Sequence, residues 1–487
     1  MYNLNSSITQ ILKFDKLHNN IDFDKFNGEE KELLKFLCYK NHALNFQYHY
    51  KKKFNKKIYY LILNFYNFFL FIFSLKKKIL ILFNFSNKKK YLKNIKTDII
   101  FFLSQSAKDH EDTYPIIKRF TKKVILVDCS SEKLMSYKKL IKNCKIINLQ
   151  DYIQIKDFFL AFIKSIKFII KFAKLRKTSP HPLLNSLIYF RFFIRIEVYK
   201  KILGSIETNK VFIDRNNEEG NNFFISSFKN KNKLNKVFSY SLNGLALNND
   251  LISSHYLYSN IDYLFCYGKF DKIFIKKLFK RNRFKLLKIP NKIIPVGSIR
   301  NFLHKKIKNT KNKTFTKKFN FLYIKSNPFI YNNLDQTCFK KFCYFINKNF
   351  PLSLILVKER NSHTSKKDVE LINKKLITKK NIYNSSSLKP ENLFSNADFI
   401  VGTTSAALAQ AIYYNKPVIC LDNKIVISSF LKYFSSIYIS SIDEIANYTN
   451  KISILGNKHL KQNKIKDLIF KKTYKSPCYE ILKVMKR

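Results

Sequence analysis

The feature that most constrains this chain is a rhythm of short apolar runs, each followed by a stretch with helical spacing. From Lys78 onward the runs are Ile79 to Phe85, Asp98 to Leu103 and Lys123 to Asp128, with helical spacing from Asp112 to Lys122. The rhythm continues through Lys210–Asp214, Lys236–Tyr240, Tyr263–Tyr267 and Lys292–Val296. A strand that is apolar at every position needs cover on both faces, which is the pattern of a parallel sheet between helical layers. A Lys/Asn/Thr-rich stretch from Lys305 to Lys318 then reads as a linker. After it the pattern restarts with Phe319–Ile324, helix Asp335–Asn347, Leu352–Val357, a helix near Lys366–Lys375, Asp398–Val401, helix Ser405–Tyr414 and Pro417–Leu421. Pro477 to Arg487 reads as a last short helix. At 487 residues the chain exceeds one ordinary core. The expected fold is α/β: two Rossmann-like doubly wound domains behind an N-terminal helical extension. The expected boundaries are 1–77, 78–304, the linker 305–318, and 319–487. Two such domains leave a cleft at the carboxyl ends of their strands, where open α/β sheets bind ligands.

Charge bears on the choice of partner. The formal net charge is +58, which suits a nucleic acid or an anionic bilayer. Yet Lys, Asn, Ile, Phe and Tyr all have A/T-rich codons, and a genomic bias would spread Lys over a solvated surface. Lys heavily outweighs Arg, the basic residues are dispersed, and no DNA- or RNA-binding motif is present. No nucleic acid is expected as a partner. The eight cysteines form no CxxC pair and no zinc-spaced cluster, which fits reduced thiols in a cytoplasmic protein. The opening Met-Tyr-Asn-Leu-Asn-Ser-Ser lacks a basic-then-apolar export signal.

Two segments raise the question of a membrane. Ile58 to Leu75 is almost wholly apolar, but Asn64 and Asn67 interrupt it and lysines flank both ends, so a buried or interfacial helix is preferred over a spanning one. Asp157 to Lys177 has Lys164, Lys167, Lys171 and Lys174 on one helical face, with Phe and Ile over much of the rest. Two readings stay open for it: a helix lying in an anionic membrane interface, and a surface helix with a solvated Lys face and a Phe/Ile face in the core.

The richest motif runs from Asn396 to Cys420. A strand ends at Val401, Gly402 permits a tight turn, and Thr403, Thr404 and Ser405 open a helix of small residues. Free backbone N–H groups and the positive dipole end at such a terminus attract phosphate; the alternative is a plain N-cap. A strand ending in Gly-Thr-Thr-Ser, then a small-residue helix and Asn-Lys-Pro-Val-Ile, resembles the donor-binding half of GT-B glycosyltransferases. The closest group is that of bacterial surface-carbohydrate and capsule synthesis, including polymerases that use CDP-glycerol. That group often carries a Lys-Pro-His-Pro-like element. Here Val357-Lys-Glu-Arg-Asn-Ser-His363 stands in its place, keeping Lys358 and lacking Pro-His-Pro. The resemblance implies nucleotide contacts from Lys358, Arg360, Gly402, Thr403, Thr404 and Ser405. In the first half, Asn243-Gly244 stands where relatives have His-Gly, and Ser298 follows the Val296-Gly297 strand end beside the cleft. Asn243 and Gly244 are the acceptor-side loop.

A transferase needs a base for the acceptor proton and cations or N–H groups for the leaving phosphate. Asp109, His110 and Glu111 follow the strand ending at Leu103 and are the first candidates, against the bland reading of a hydrophilic loop. Asp214 is the second, with Arg215, Glu218 and Glu219 close by. No metal and no cofactor is expected. Asp22-Phe-Asp24 is an Asp-x-Asp that precedes every strand of the two domains. The expected activity is transfer from a nucleotide-activated sugar or glycerol to a glycan or lipid-linked acceptor, at the inner face of a membrane. The alternatives are a non-catalytic assembly protein on the same fold, a sugar-nucleotide epimerase and, from another class, a basic nucleic-acid binder.

Overall fold

The computed structural model describes residues 25–34, 94–103, 113–128, 134–135, 137–138, 141, 144–173, 186–213, 219–240, 260–281, 289–299, 302, 319–325, 328–358, 381–384, 390–403, 406–421, 438–439, 444–447, 449, 462–471 and 476–486. The expected strand Ile79–Phe85, the apolar segment Ile58–Leu75, the linker Lys305–Lys318 and the helix near Lys366–Lys375 lie outside them.

The first unit is built on β2 (Ile99–Leu103), β3 (Lys123–Val127), β4 (Lys145–Asn148), β6 (Lys210–Ile213), β7 (Lys236–Tyr240), β8 (Tyr263–Cys266) and β9 (Lys292–Pro295). They form one sheet in the order β4-β3-β2-β6-β7-β8-β9, with every pairing parallel. Two short parallel strands, β1 (Ile95–Lys96) and β5 (Ile206–Glu207), pair beside it. The second sheet contains β10 (Asn320–Ile324), β11 (Leu354–Lys358), β12 (Ile382–Asn384), β13 (Phe399–Gly402), β14 (Val418–Leu421) and β15 (Tyr438–Ile439) in the order β12-β11-β10-β13-β14-β15. It too is parallel throughout. Both sheets start in the middle, run out to one edge, then return and run to the other. Each is doubly wound, as the sequence predicts.

The helices, in chain order, are α1 (Tyr114–Ile117), α2 (Ile155–Ala173), α3 (Ser186–Gly204), α4 (Glu219–Lys231), α5 (Lys269–Arg281), α6 (Pro328–Asn349), α7 (Pro390–Asn396), α8 (Ala406–Tyr413), α9 (Gln462–Ile469) and α10 (Pro477–Met485). The alternation of strand side chains decides which layer each contacts. In β2, Ile100 and Phe102 join a core with α2, α3 and α4, where Phe102 stacks on Phe224 at 4.4 Å. Ile99, Phe101 and Leu103 face the opposite layer, with Ile116, Ile117 and Phe120. Likewise Phe321 and Tyr323 of β10 pack under Phe339, Phe342 and Ile346 of α6, while Leu322 and Ile324 face α8. Each fully buried Ile or Phe contributes about 1.5–3 kcal/mol, so two-faced burial is what selects the sandwiched parallel sheet.

Three local features differ from the sequence reading. In the described part of the stretch Asp112–Lys122, from Thr113 on, the helix is the four-residue α1: Arg119 N and Phe120 N turn back to Ile116 O and Ile117 O, and by Lys122, whose carbonyl accepts from Asp98 N, the chain has entered the sheet. The strand β4 and the helix α3 were not anticipated. In α3 nearly every turn is buried, so its residues lack amphipathic periodicity.

The last two helices tie the units together. On α9, Lys466 reaches across to Asn415 at 2.8 Å, just past α8 of the second unit, and Ile469 packs at the start of α5 in the first. Lys471 N then donates to Tyr267 O at 2.8 Å. Beyond it, α10 lies against α1, burying Cys478, Ile481 and Met485 in the core that also holds Ile116 and Ile117. Lys210 of β6 donates to Met485 O, the end of α10, at 2.8 Å. A single core cluster therefore contains side chains from both sheets.

Candidate functional site

In a doubly wound sheet the two chain directions part at one point, and the loops leaving the flanking strands diverge to open a crevice. In the second unit that point lies between β10 and β13. The terminal register there is Lys358, Ile324, Gly402 and Cys420, side by side across four strands. Gly402 is required by this packing. A Cβ on it would sit 2.8 Å from the carbonyl oxygen of Ile324 and 3.4 Å from the Leu408 side chain. Its neighbour Thr403 is 2% exposed, and its carbonyl accepts from Cys420 Sγ at 3.2 Å. Lys358 is half-buried at the end of β11, and its carbonyl accepts from Lys325 N at 3.0 Å. Lys358, Gly402 and Thr403 are thus brought to one edge of the sheet, on both sides of β10. Arg360, Thr404 and Ser405 lie outside the described residues.

The Asn-Lys-Pro element after α8 has a structural task. Asn415 adopts the left-handed conformation, φ 57°, which ends the helix. Lys416 N closes the turn onto Ala411 O at 3.1 Å, and its Nζ donates to the carbonyl of Ala397 at 3.0 Å. This fastens the end of α8 to the base of β13 and so holds the Gly402 turn in place.

In the first unit the parting lies between β2 and β6, which pair directly. The chain leaves Leu103 for the stretch holding Asp109, His110 and Glu111, and leaves Ile213 for Asp214, Arg215 and Glu218. All of these lie outside the described residues, as do Asn243 and Gly244 after β7. Where the description resumes, Tyr114, Pro115, Lys118 and Arg119 line an open concavity of about 600 Å³. Sequence reasoning passed over these residues, since Lys is too common in this chain for one to stand out and no motif marks the stretch.

Ser298 is 4% exposed and sits in a braced turn after β9. The Tyr240 hydroxyl donates to Gly297 O and accepts from Ile299 N, both at 3.0 Å. Gly297 has φ 96°, a conformation glycine adopts without cost. Ser298 O accepts from Phe302 N at 3.0 Å. Tyr240 thus fixes the turn that carries Ser298, a brace that spacing alone did not reveal. Among the described residues no group of three His, Cys, Asp or Glu side chains converges to hold a metal ion. No described helix is long and apolar enough to cross a membrane. Of the cysteines described, Cys266, Cys343, Cys420 and Cys478 are buried, and burial raises the Cys266 thiol well above its ordinary value.

No family model and no curated protein matches this chain. Among solved structures it is similar to the MnaA–UDP co-structure of S. aureus, at 12% identity and TM-score 0.47, over 80% of this chain and 96% of that one. It is similar to the UDP-GlcNAc 2-epimerase of Neisseria meningitidis bound to UDP-GlcNAc, at 10% identity and TM-score 0.48, over 80% and 99%. A trehalose-6-phosphate synthase structure gives 10% identity and TM-score 0.46, over 80% and 99%. The architecture, two doubly wound parallel sheets, stands on the strand orders themselves.

Proposed function

We propose that the protein is an enzyme acting on a nucleotide-activated sugar or glycerol, with the nucleotide at the parting of the second sheet. The observation that carries this reading is the row Lys358–Ile324–Gly402 across β11, β10 and β13. It sets a lysine on one side of the crevice and, on the other, a glycine turn leading into a small-residue helix. A diphosphate lodged there meets a cation and the backbone N–H groups after Gly402, the arrangement that neutralises a leaving phosphate. The second substrate then faces the stretches that follow β2 and β6, where Asp109, His110, Glu111 and Asp214 supply the base.

Transfer to a glycan or lipid-linked acceptor, in surface-polysaccharide synthesis, is the first reading and rests on the motif resemblance. Epimerisation of the sugar nucleotide is the second. One observation favours it: β2 and β6 are adjacent, so two acid-bearing stretches leave from neighbouring strands, and an epimerase needs clustered carboxylates.

Thermal melting of the full chain against UDP, UDP-GlcNAc, CMP, CDP, GDP and CDP-glycerol tests the site. A ligand at a hundred times its Kd stabilises the native state by about 2.7 kcal/mol. One nucleotide is expected to raise Tm, with the rise lost in Thr404→Ala/Ser405→Ala and the affinity reduced about tenfold in Lys358→Ala. No rise with any of them would sink the nucleotide site and leave the assembly role. For a nucleotide sugar that binds, incubation without acceptor followed by NMR separates the two chemistries, since an epimerase inverts a ring carbon other than the anomeric one, whereas a transferase acts only at the anomeric carbon.

A further inference from the structure

The helix α2 turns its largest apolar side chains outward. At 100° per residue, Ile155, Phe159, Phe162, Ile163, Ile166 and Ile170 share an arc of about 100° along a helix about 28 Å long. Phe159 is 67% exposed, and the other five are between 41% and 53%. A surface helix with its apolar face in the core would show the reverse. Here the core side is taken by Phe158, Ala161, Ser165 and Phe168, and by the helix's one acid, Asp157, which is fully buried against Lys201. Two of the four lysines are also turned to that flank: Lys164 pairs with Glu29 and Glu197, and Lys171 with Glu30. Lys156 and Lys167 remain exposed along the border of the apolar arc. The outward surface of α2 therefore consists of apolar side chains edged by lysine, with no carboxylate of its own.

We infer that this face of α2 docks in the plane of an anionic lipid bilayer, its Phe and Ile side chains entering the acyl boundary and Lys156 and Lys167 meeting the headgroups. Charge selects the bilayer over a second copy of the chain. At a net charge of +58, two copies joined through lysine-edged faces repel each other, whereas anionic headgroups satisfy both parts of the surface at once. The inference does not depend on the nucleotide reading.

The chain has no tryptophan, so Phe159→Trp places a single reporter on the exposed face. On vesicles of phosphatidylcholine with phosphatidylglycerol, its emission is expected to move to shorter wavelength and to be quenched by lipids brominated in their chains. Phosphatidylcholine alone should give a much smaller change. Replacing Phe159, Phe162, Ile166 and Ile170 together by Ser should lower vesicle affinity at least about a hundredfold. The variant should still melt cooperatively, with Tm lowered by no more than several degrees, because these side chains are already 41–67% exposed. Lys156→Glu/Lys167→Glu should lower vesicle affinity about tenfold or more. The inference is overturned if the Phe159→Trp protein sediments with anionic vesicles while its emission stays unchanged, or if the Ser variant binds as tightly as the parent. It is equally overturned if the Ser variant turns a dimer into a monomer without weakening vesicle binding, which assigns the face to a second copy.

Discussion

Gly402 shows how one missing side chain shapes a crevice. Its Cα hydrogens stand where a methyl group would press on the Ile324 carbonyl at 2.8 Å, so Gly402→Ala must part β10 from β13 or tilt α8. The expected cost is about 1–3 kcal/mol in chemical denaturation, together with weaker nucleotide binding. At Glu197, burial works to raise the carboxyl, but hydrogen bonds and charge from Lys164 and Lys200 outweigh it and hold the group below its ordinary value of 4.5. A depressed carboxylate stabilises the fold above its unfolded value, and that contribution is lost as pH falls through the folded one. Melting temperatures should therefore drop below about pH 4.5, with a shallower drop in Glu197→Gln. On the lysine side, burial lowers Lys164 and its pairing with Glu197 and Glu29 more than restores it, leaving it raised above 10.5. Its share persists until the pH rises past that value.

At the scale of elements, α2 depends on a residue that hydropathy would place on the outside. Asp157 accepts from Gln154 N at 2.7 Å, which caps the first turn, and its carboxylate binds Lys201 of α3 through both oxygens at 2.5 Å. The pair locks the two longest helices of the first unit side by side. Asp157→Ala takes the carboxylate from the half-buried Lys201 ammonium and leaves it the Gln154 Oε1 at 3.3 Å. It should cost about 2–4 kcal/mol by denaturant unfolding, the partial exposure of Lys201 keeping it below the full penalty for a buried pair. Asp157→Asn, which keeps the cap, should cost less.

At the scale of the molecule, the C-terminal crossing makes two sheets into one body. A Cβ on Gly268 would lie 2.2 Å from Ile469 O, so the end of α9 rests directly on the backbone that follows β8. Beyond it Ile481 is fully buried in a core shared by both units. Ile481→Ala should cost about 2–5 kcal/mol, and calorimetry should find the loss in a single transition. Two separate transitions, only one of them shifted, would refute the shared core.

Much was legible in the sequence, for a reason that differs by level. Uninterrupted apolar runs such as Ile99–Leu103 and Phe399–Val401 determined parallel strands covered on both faces, because runs this short, rich in β-branched and aromatic residues and recurring between helical stretches, fit sandwiched strands and are too short for a buried helix such as α3. The strand ends at Lys358 and Gly402 were legible too, and the fold sets the two residues in one row on either side of Ile324. The sequence could not say which face of α2 is outside, since a helix with apolar residues over most of its circumference has no single core side. Only the pairing of Asp157 with Lys201, and of Lys164 and Lys171 with Glu29, Glu30 and Glu197, decided it. Nor could it place α10 on the first unit, because the partners, Ile116 and Ile481, are hundreds of residues apart. Local periodicity determines elements; contacts between distant segments exist only once the chain has closed on itself.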